Sequence, residues 1–88
     1  MTLKIEKTVQ PGFTIFILSG HLAEEEMAEL ETEFGPRTYY SKIIIDLKDL
    51  RLANRAAVKF LARCEADGLR IENCPGYIRE WMLTETSK

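Results

Sequence analysis

Chemically versatile side chains are scarce in this chain. Among 88 residues there is one histidine, His21, and there are two cysteines, Cys64 and Cys74. The cysteines form neither a CxxC pair nor a zinc-finger spacing. A closed zinc site takes about four such ligands, so neither a metal centre nor a cofactor is expected. Both cysteines read instead as small hydrophobes of a reducing compartment. No apolar run approaches the ~20 residues that cross a bilayer. The start, Met1 to Glu6, alternates like a strand and lacks the apolar stretch of a signal peptide. A cytoplasmic chain without direct membrane insertion is the expectation. An excess of basic residues is missing too: 12 Lys and Arg face 14 Asp and Glu, a net charge of −2. Nucleic-acid binding needs a basic field to collect phosphates and is set aside.

What is present is an ordinary globular composition, 45% apolar and 30% charged, of a length for one domain. Leu3, Ile5 and Val9 frame a first strand, and Pro11-Gly12 is a turn signal. Phe13–Leu18 then completes a hairpin. Both faces of that second strand are largely apolar, which predicts a central place in a sheet. Gly20 is expected to end it. A helix follows over about Ala23–Phe34, with Met27, Leu30 and Phe34 on one face. Glu24, Glu25 and Glu26 suit the positive end of its dipole, and Gly35-Pro36 closes it. The acidic run reads as a solvated helix face.

Ile43–Leu47 has the continuous apolar character of a parallel strand covered on both faces. Asn54 is a good N-cap for a second helix whose buried stripe is Ala57, Phe60, Leu61 and Cys64. Gly68 ends that helix, Leu69–Glu72 alternates as a strand near an edge, and after Pro75-Gly76 a last helix buries Ile78, Trp81 and Met82. The order is ββαβαβα: an α/β fold with a mixed four-stranded sheet, an N-terminal hairpin, then parallel strands, and about three helices. Right-handed crossovers stepping in one direction place both crossover helices on one face. The other face must then be covered by the final helix, a second copy or a partner. The domain is expected over residues 1–83, with a flexible tail from Thr84 to Lys88.

In this order the residues resemble the STAS family, the fold of bacterial anti-sigma factor antagonists and of the cytoplasmic domains of sulfate-type anion transporters. The resemblance rests on Gly20-His21-Leu22 after the second strand and on Ile43 through Leu50 as the central strand and its exit. Ala57 to Leu61 in the second helix and the Gly68-Leu69 turn complete it, so it covers nearly the whole chain. In the antagonists the loop after the central strand reads Asp-Ser-Ser-Gly or a close variant. One serine there is phosphorylated by a partner kinase that is also the anti-sigma factor, and the added charge alters docking. Aligned here, that loop is Asn54-Arg55-Ala56-Ala57, with Ala56 at the acceptor position. Between Ser41 and Thr84 there is no serine or threonine at all, so no small change of alignment restores an acceptor. The aspartate often found after the second strand is also replaced, by His21-Leu22-Ala23.

The resemblance therefore implies a non-catalytic, protein-binding regulatory module without a phosphorylation switch. Its partner surface would comprise Asn54, Arg55, Ala56, Ala57, Lys59 and Arg63, and its partner would be an anti-sigma factor-like protein. A second role that needs no phosphorylation is that of the small STAS subunit clamping an ATPase in a bacterial lipid or anion transport system. A homodimer is a further association open to the fold. The residues themselves add three readings. Arg55, Lys59 and Arg63 make a basic stripe that either steers an acidic partner or is neutralised by Asp67 and loop carboxylates. His21, Lys48, Arg51 and Asn73 gather at the sheet edge as an anion site or a polar rim. A Cys74–His21 pair is the one conceivable nucleophile and base, without a third orienting group.

Overall fold

Pro11 and Gly12 fold β1 (Leu3–Gln10) and β2 (Phe13–Leu22) into an antiparallel hairpin in the computed structural model, which describes residues 3–86. There follow α1 (Glu24–Phe34), a 3₁₀ turn (Arg37–Lys42), β3 (Ile43–Ala53), α2 (Arg55–Ala66), β4 (Arg70–Glu72) and α3 (Gly76–Thr86). The sheet runs β1-β2-β3-β4, and β2, β3 and β4 are parallel, as the sequence predicts. Met1, Thr2, Ser87 and Lys88 lie outside the described residues. The tail expected from Thr84 is helical as far as Thr86.

Two strands are longer than their alternation suggests. β2 continues through Gly20 to Leu22, and β3 runs on from Leu47 to Ala53. The cause lies in the pairing register. Ile17 and Ser19 face Asp46 and Asp49, and Gly20 and His21 face Leu50 and Leu52, so β3 carries one extra residue at each shift. A bulge of this kind turns the following side chain to the other face. Burial along β3 accordingly changes from every second residue (Ile43, Ile45, Leu47) to every third (Leu47, Leu50, Ala53). Opposite, Gly20 takes a φ of 97°, open to glycine without the steric cost other residues carry. The period-2 signal breaks at Leu47 although the strand does not.

One face of the sheet carries Phe16, Leu18, Ile43, Ile45, Leu47 and Ile71, and all three helices contribute to the core on it. Leu30 and Phe34 come from α1, six buried residues including Phe60 and Leu61 from α2, and Ile78 and Met82 from α3. Phe34 is the hub. Its ring meets Phe16 edge-on at 5.1 Å and Tyr40 edge-on at 6.0 Å, and stacks on Phe60 at 6.3 Å. Such aromatic pairs add about 0.5–1.5 kcal/mol each beyond area burial. The final helix packs on α2, where Arg79 donates to both oxygens of Glu65 at 2.7 and 3.1 Å.

That placement changes the expectation for the second face. Phe13, Ile15, Ile17 and Ile44 alternate away from the core and stay partly exposed. The Ile43–Leu47 run is therefore not covered on both faces among the described residues. Ile78 and Met82 find their burial against α2 instead of beneath the sheet.

Candidate functional site

A single residue joins the central strand to the second crossover helix. Asn54 follows Ala53 of β3 and precedes Arg55 of α2. Its Oδ1 accepts from the Ala57 N–H at 2.9 Å, satisfying one of the free donors of the helix start, an arrangement worth about 1 kcal/mol. Its own N–H donates to the Leu22 carbonyl at 3.3 Å. The first turn of α2 is thus pinned to the end of β3 by the chain and to the end of β2 by a hydrogen bond.

Burial divides this turn. Ala57 is fully enclosed in the core and offers a partner no side-chain surface, a correction to the expected set. It belongs with Phe60, Leu61 and Cys64 on the inward face, one turn apart along the helix. Ala56 is partly exposed and Asn54 likewise. Arg55, Lys59 and Arg63 are exposed on successive turns. Among the described residues no carboxylate pairs with Lys59 or Arg63, so Asp67 does not neutralise that part of the stripe.

Two large apolar side chains stand at the same edge of the sheet. Leu52 is 51% exposed because the second bulge turns it outward between buried Leu50 and Ala53. Tyr77, 48% exposed, opens α3, and its hydroxyl donates to the Arg51 carbonyl next door. Tyr77 was not legible as a surface residue here. Its one sequence signal was its place just after Pro75-Gly76, at the far end of a crossover.

The residues of the expected anion cluster are distributed over more than one recess. Lys48 and Arg51 line a polar recess with Lys4 and Asp49. His21 lines a different recess, beside Glu25 and Glu26, whose charge would repel an anion. Asn73 lies exposed beyond β4 with a φ of 55°. Glu26 serves as a backbone cap, accepting from the Ala23 N–H at 3.1 Å. Among the described residues no group of three or more His, Cys, Asp or Glu converges as metal ligands.

Cys74 and His21 follow β4 and lie in β2, with β3 between. Two strand spacings of about 4.8 Å each separate such positions, well beyond hydrogen-bond reach. Burial pushes the Cys74 thiol above its ordinary pKa; nearby Arg79 pulls it down and Glu65 adds to the rise. A raised pKa means less thiolate at neutral pH. Cys74 in the folded chain should therefore react with iodoacetamide at pH 7.5 more slowly than free cysteine, and speed up on unfolding in urea. A folded-state rate equal to that of free cysteine would contradict this.

No helix among the described residues is long and apolar enough to cross a membrane. No family model matches the chain, and no curated protein matches it in sequence. Among solved structures it is similar to the anti-sigma factor antagonist SpoIIAA in its unphosphorylated form, with a TM-score of 0.58 and 13% sequence identity. The match covers 93% of this chain and 83% of that one. The chain thus has the STAS fold that its element order and motifs foreshadow.

Proposed function

We propose that the chain is a non-catalytic regulatory module that binds another protein through the start of α2, with no phosphorylation switch at that surface. Asn54, Arg55, Ala56, Lys59 and Arg63 form the polar and cationic part of the surface, and Leu52 and Tyr77 its apolar part. The observation that carries the reading is the pairing of exposed Leu52 and Tyr77 with Lys59 and Arg63, which have no carboxylate partner among the described residues, on a helix whose first turn is held by the Asn54 cap. A mixed surface of that kind suits protein docking, where an aromatic and an aliphatic anchor supply affinity and charges supply orientation. The fold supports it, since SpoIIAA is named as an antagonist of an anti-sigma factor.

With alanine at position 56 and no serine or threonine from residue 42 to residue 83, recognition depends on constant shape and charge. The nearest partner class is an anti-sigma factor-like protein with an acidic face. The same features suit an ATPase subunit clamped by the module, because that role also needs no phosphoacceptor. Identifying the retained protein separates the two.

The experiment compares affinity capture by the wild-type chain and by a Lys59→Glu, Arg63→Glu double variant. Both positions are exposed, so the variant keeps its fold. The expected result is a protein retained by the wild type, lost from the variant, and retained less well as salt rises. Equal retention, with the same salt dependence, would remove the stripe from the proposal.

A further inference from the structure

At the opposite end of the sheet lies a cavity of about 290 Å³ that the proposed docking surface does not use. It sits where the hairpin turn, the end of α1 and the start of β3 meet. β3 separates it from Asn54 by on the order of 30 Å of extended chain. Its size is close to the lower end of the about 300–1,000 Å³ typical of small-molecule sites. It is also nearly twice the about 150 Å³ that accommodates a benzene ring.

The lining is aromatic and its charges are cationic on balance. Phe16 and Phe34 are buried core rings, whereas Phe13 and Tyr39 remain 38% and 55% exposed. These two outer rings stand to lose water contact if the cavity fills. Lys7, Lys42 and Glu33 supply its charged groups. Lys7 is already engaged, with its ammonium 3.6 Å from Glu33 and 5.9 Å from the centre of the Phe16 ring. Lys42 makes no ion pair or hydrogen bond through its side chain among the described residues. A bound cation would find Lys7 already over the Phe16 ring and Lys42 repelling it. An apolar body bearing one negative charge meets neither obstacle.

We propose that this cavity binds a small aromatic monocarboxylate, with its ring system among Phe13, Phe16, Phe34 and Tyr39 and its carboxylate against the Lys42 ammonium. Ring-on-ring packing in offset or edge-on geometry favours an aromatic body over a flexible one of equal volume, which must also give up rotamer freedom. Cys64, Cys74 and His21 do not line the cavity, and the role assigned to it is binding alone. Binding here is independent of the protein-docking proposal, since it involves none of the same residues.

The probe is 2-naphthoate, titrated into the full 88-residue chain and followed by amide chemical shifts. The neutral analogue 2-naphthalenemethanol and the flexible octanoate serve as comparisons. The expected result is saturable shifts at Phe13, Thr14, Tyr39 and Lys42, with a Kd below about 1 mM. Lys42→Gln should weaken 2-naphthoate by about two- to fivefold, as befits a rim ion pair, and leave the alcohol unchanged. Phe13→Ala should weaken both, and because Phe13 is partly exposed its fold can be checked independently by circular dichroism. No saturable shift at these amides, or indifference of 2-naphthoate to Lys42→Gln, would overturn the proposal. Tighter binding of octanoate than of 2-naphthoate would overturn the aromatic assignment.

Discussion

Ala56→Glu should leave the chain folded and cost it its protein partner, with binding weakened by at least about thirtyfold. The two halves of this result have separate causes. Position 56 is the second residue of α2, where a carboxylate interacts favourably with the helix dipole by about 0.3–1 kcal/mol. The melting temperature should stay level or rise slightly. The same carboxylate projects a negative charge into a surface whose other groups are Arg55, Lys59 and Arg63, and an acidic partner then meets like charge. Affinity measured alongside thermal melting reads both effects. Undiminished binding by a well-folded variant would take Ala56 out of the docking surface.

A second large effect belongs to the core that holds this surface in place. Leu61 is fully buried on the inward side of α2. Leu61→Ala should destabilise the domain by about 2–5 kcal/mol, the cost of lost burial plus the void left behind. For a domain of this size that is a fall in melting temperature on the order of 15 °C. Arg63→Ala, two residues further along but exposed, should change stability by under about 0.5 kcal/mol. The contrast separates the helix's buried face from the exposed face proposed for docking. A drop of similar size in both variants would mean that Arg63 has a structural role its exposure does not suggest.

The legibility of the fold followed the strength of local periodic signals. Met27, Leu30 and Phe34 recur at helical spacing, and in α1 Leu30 and Phe34 are buried while Met27 packs against the core. Asn54 reads as a cap from its chemistry alone, and it caps. The second half of β3 did not read as strand, because two bulges replaced alternation with a three-residue period. A bulge depends on the neighbouring strand, so no window of β3 alone carries it. The 3₁₀ turn at Arg37–Lys42 was also not foreseen; Tyr40 there is buried through its contact with Phe34, which lies in another element.

The site was legible to a similar depth. Its cationic residues and the missing hydroxyl stand in the primary sequence. Which alanine faces outward depends on the helix phase, and that separates Ala56 from Ala57. Tyr77 joins Arg51 through a hydrogen bond between residues far apart in the chain, so no local pattern announces it. His21 lines a different recess from Lys48 and Arg51 for a related reason. Neighbouring strand ends share an edge of the sheet, but the bulges and the left-handed turn at Asn73 decide where each side chain lies.

Amide hydrogen exchange, read on the chain alone and bound to its captured protein, locates the docking surface residue by residue. Protection on binding should concentrate at Leu52–Arg63 and at Tyr77, and leave β1 and the exposed sheet face around Ile15 unchanged. Protection confined to β1 or to that open face, with α2 exchanging as in the free chain, would contradict the account.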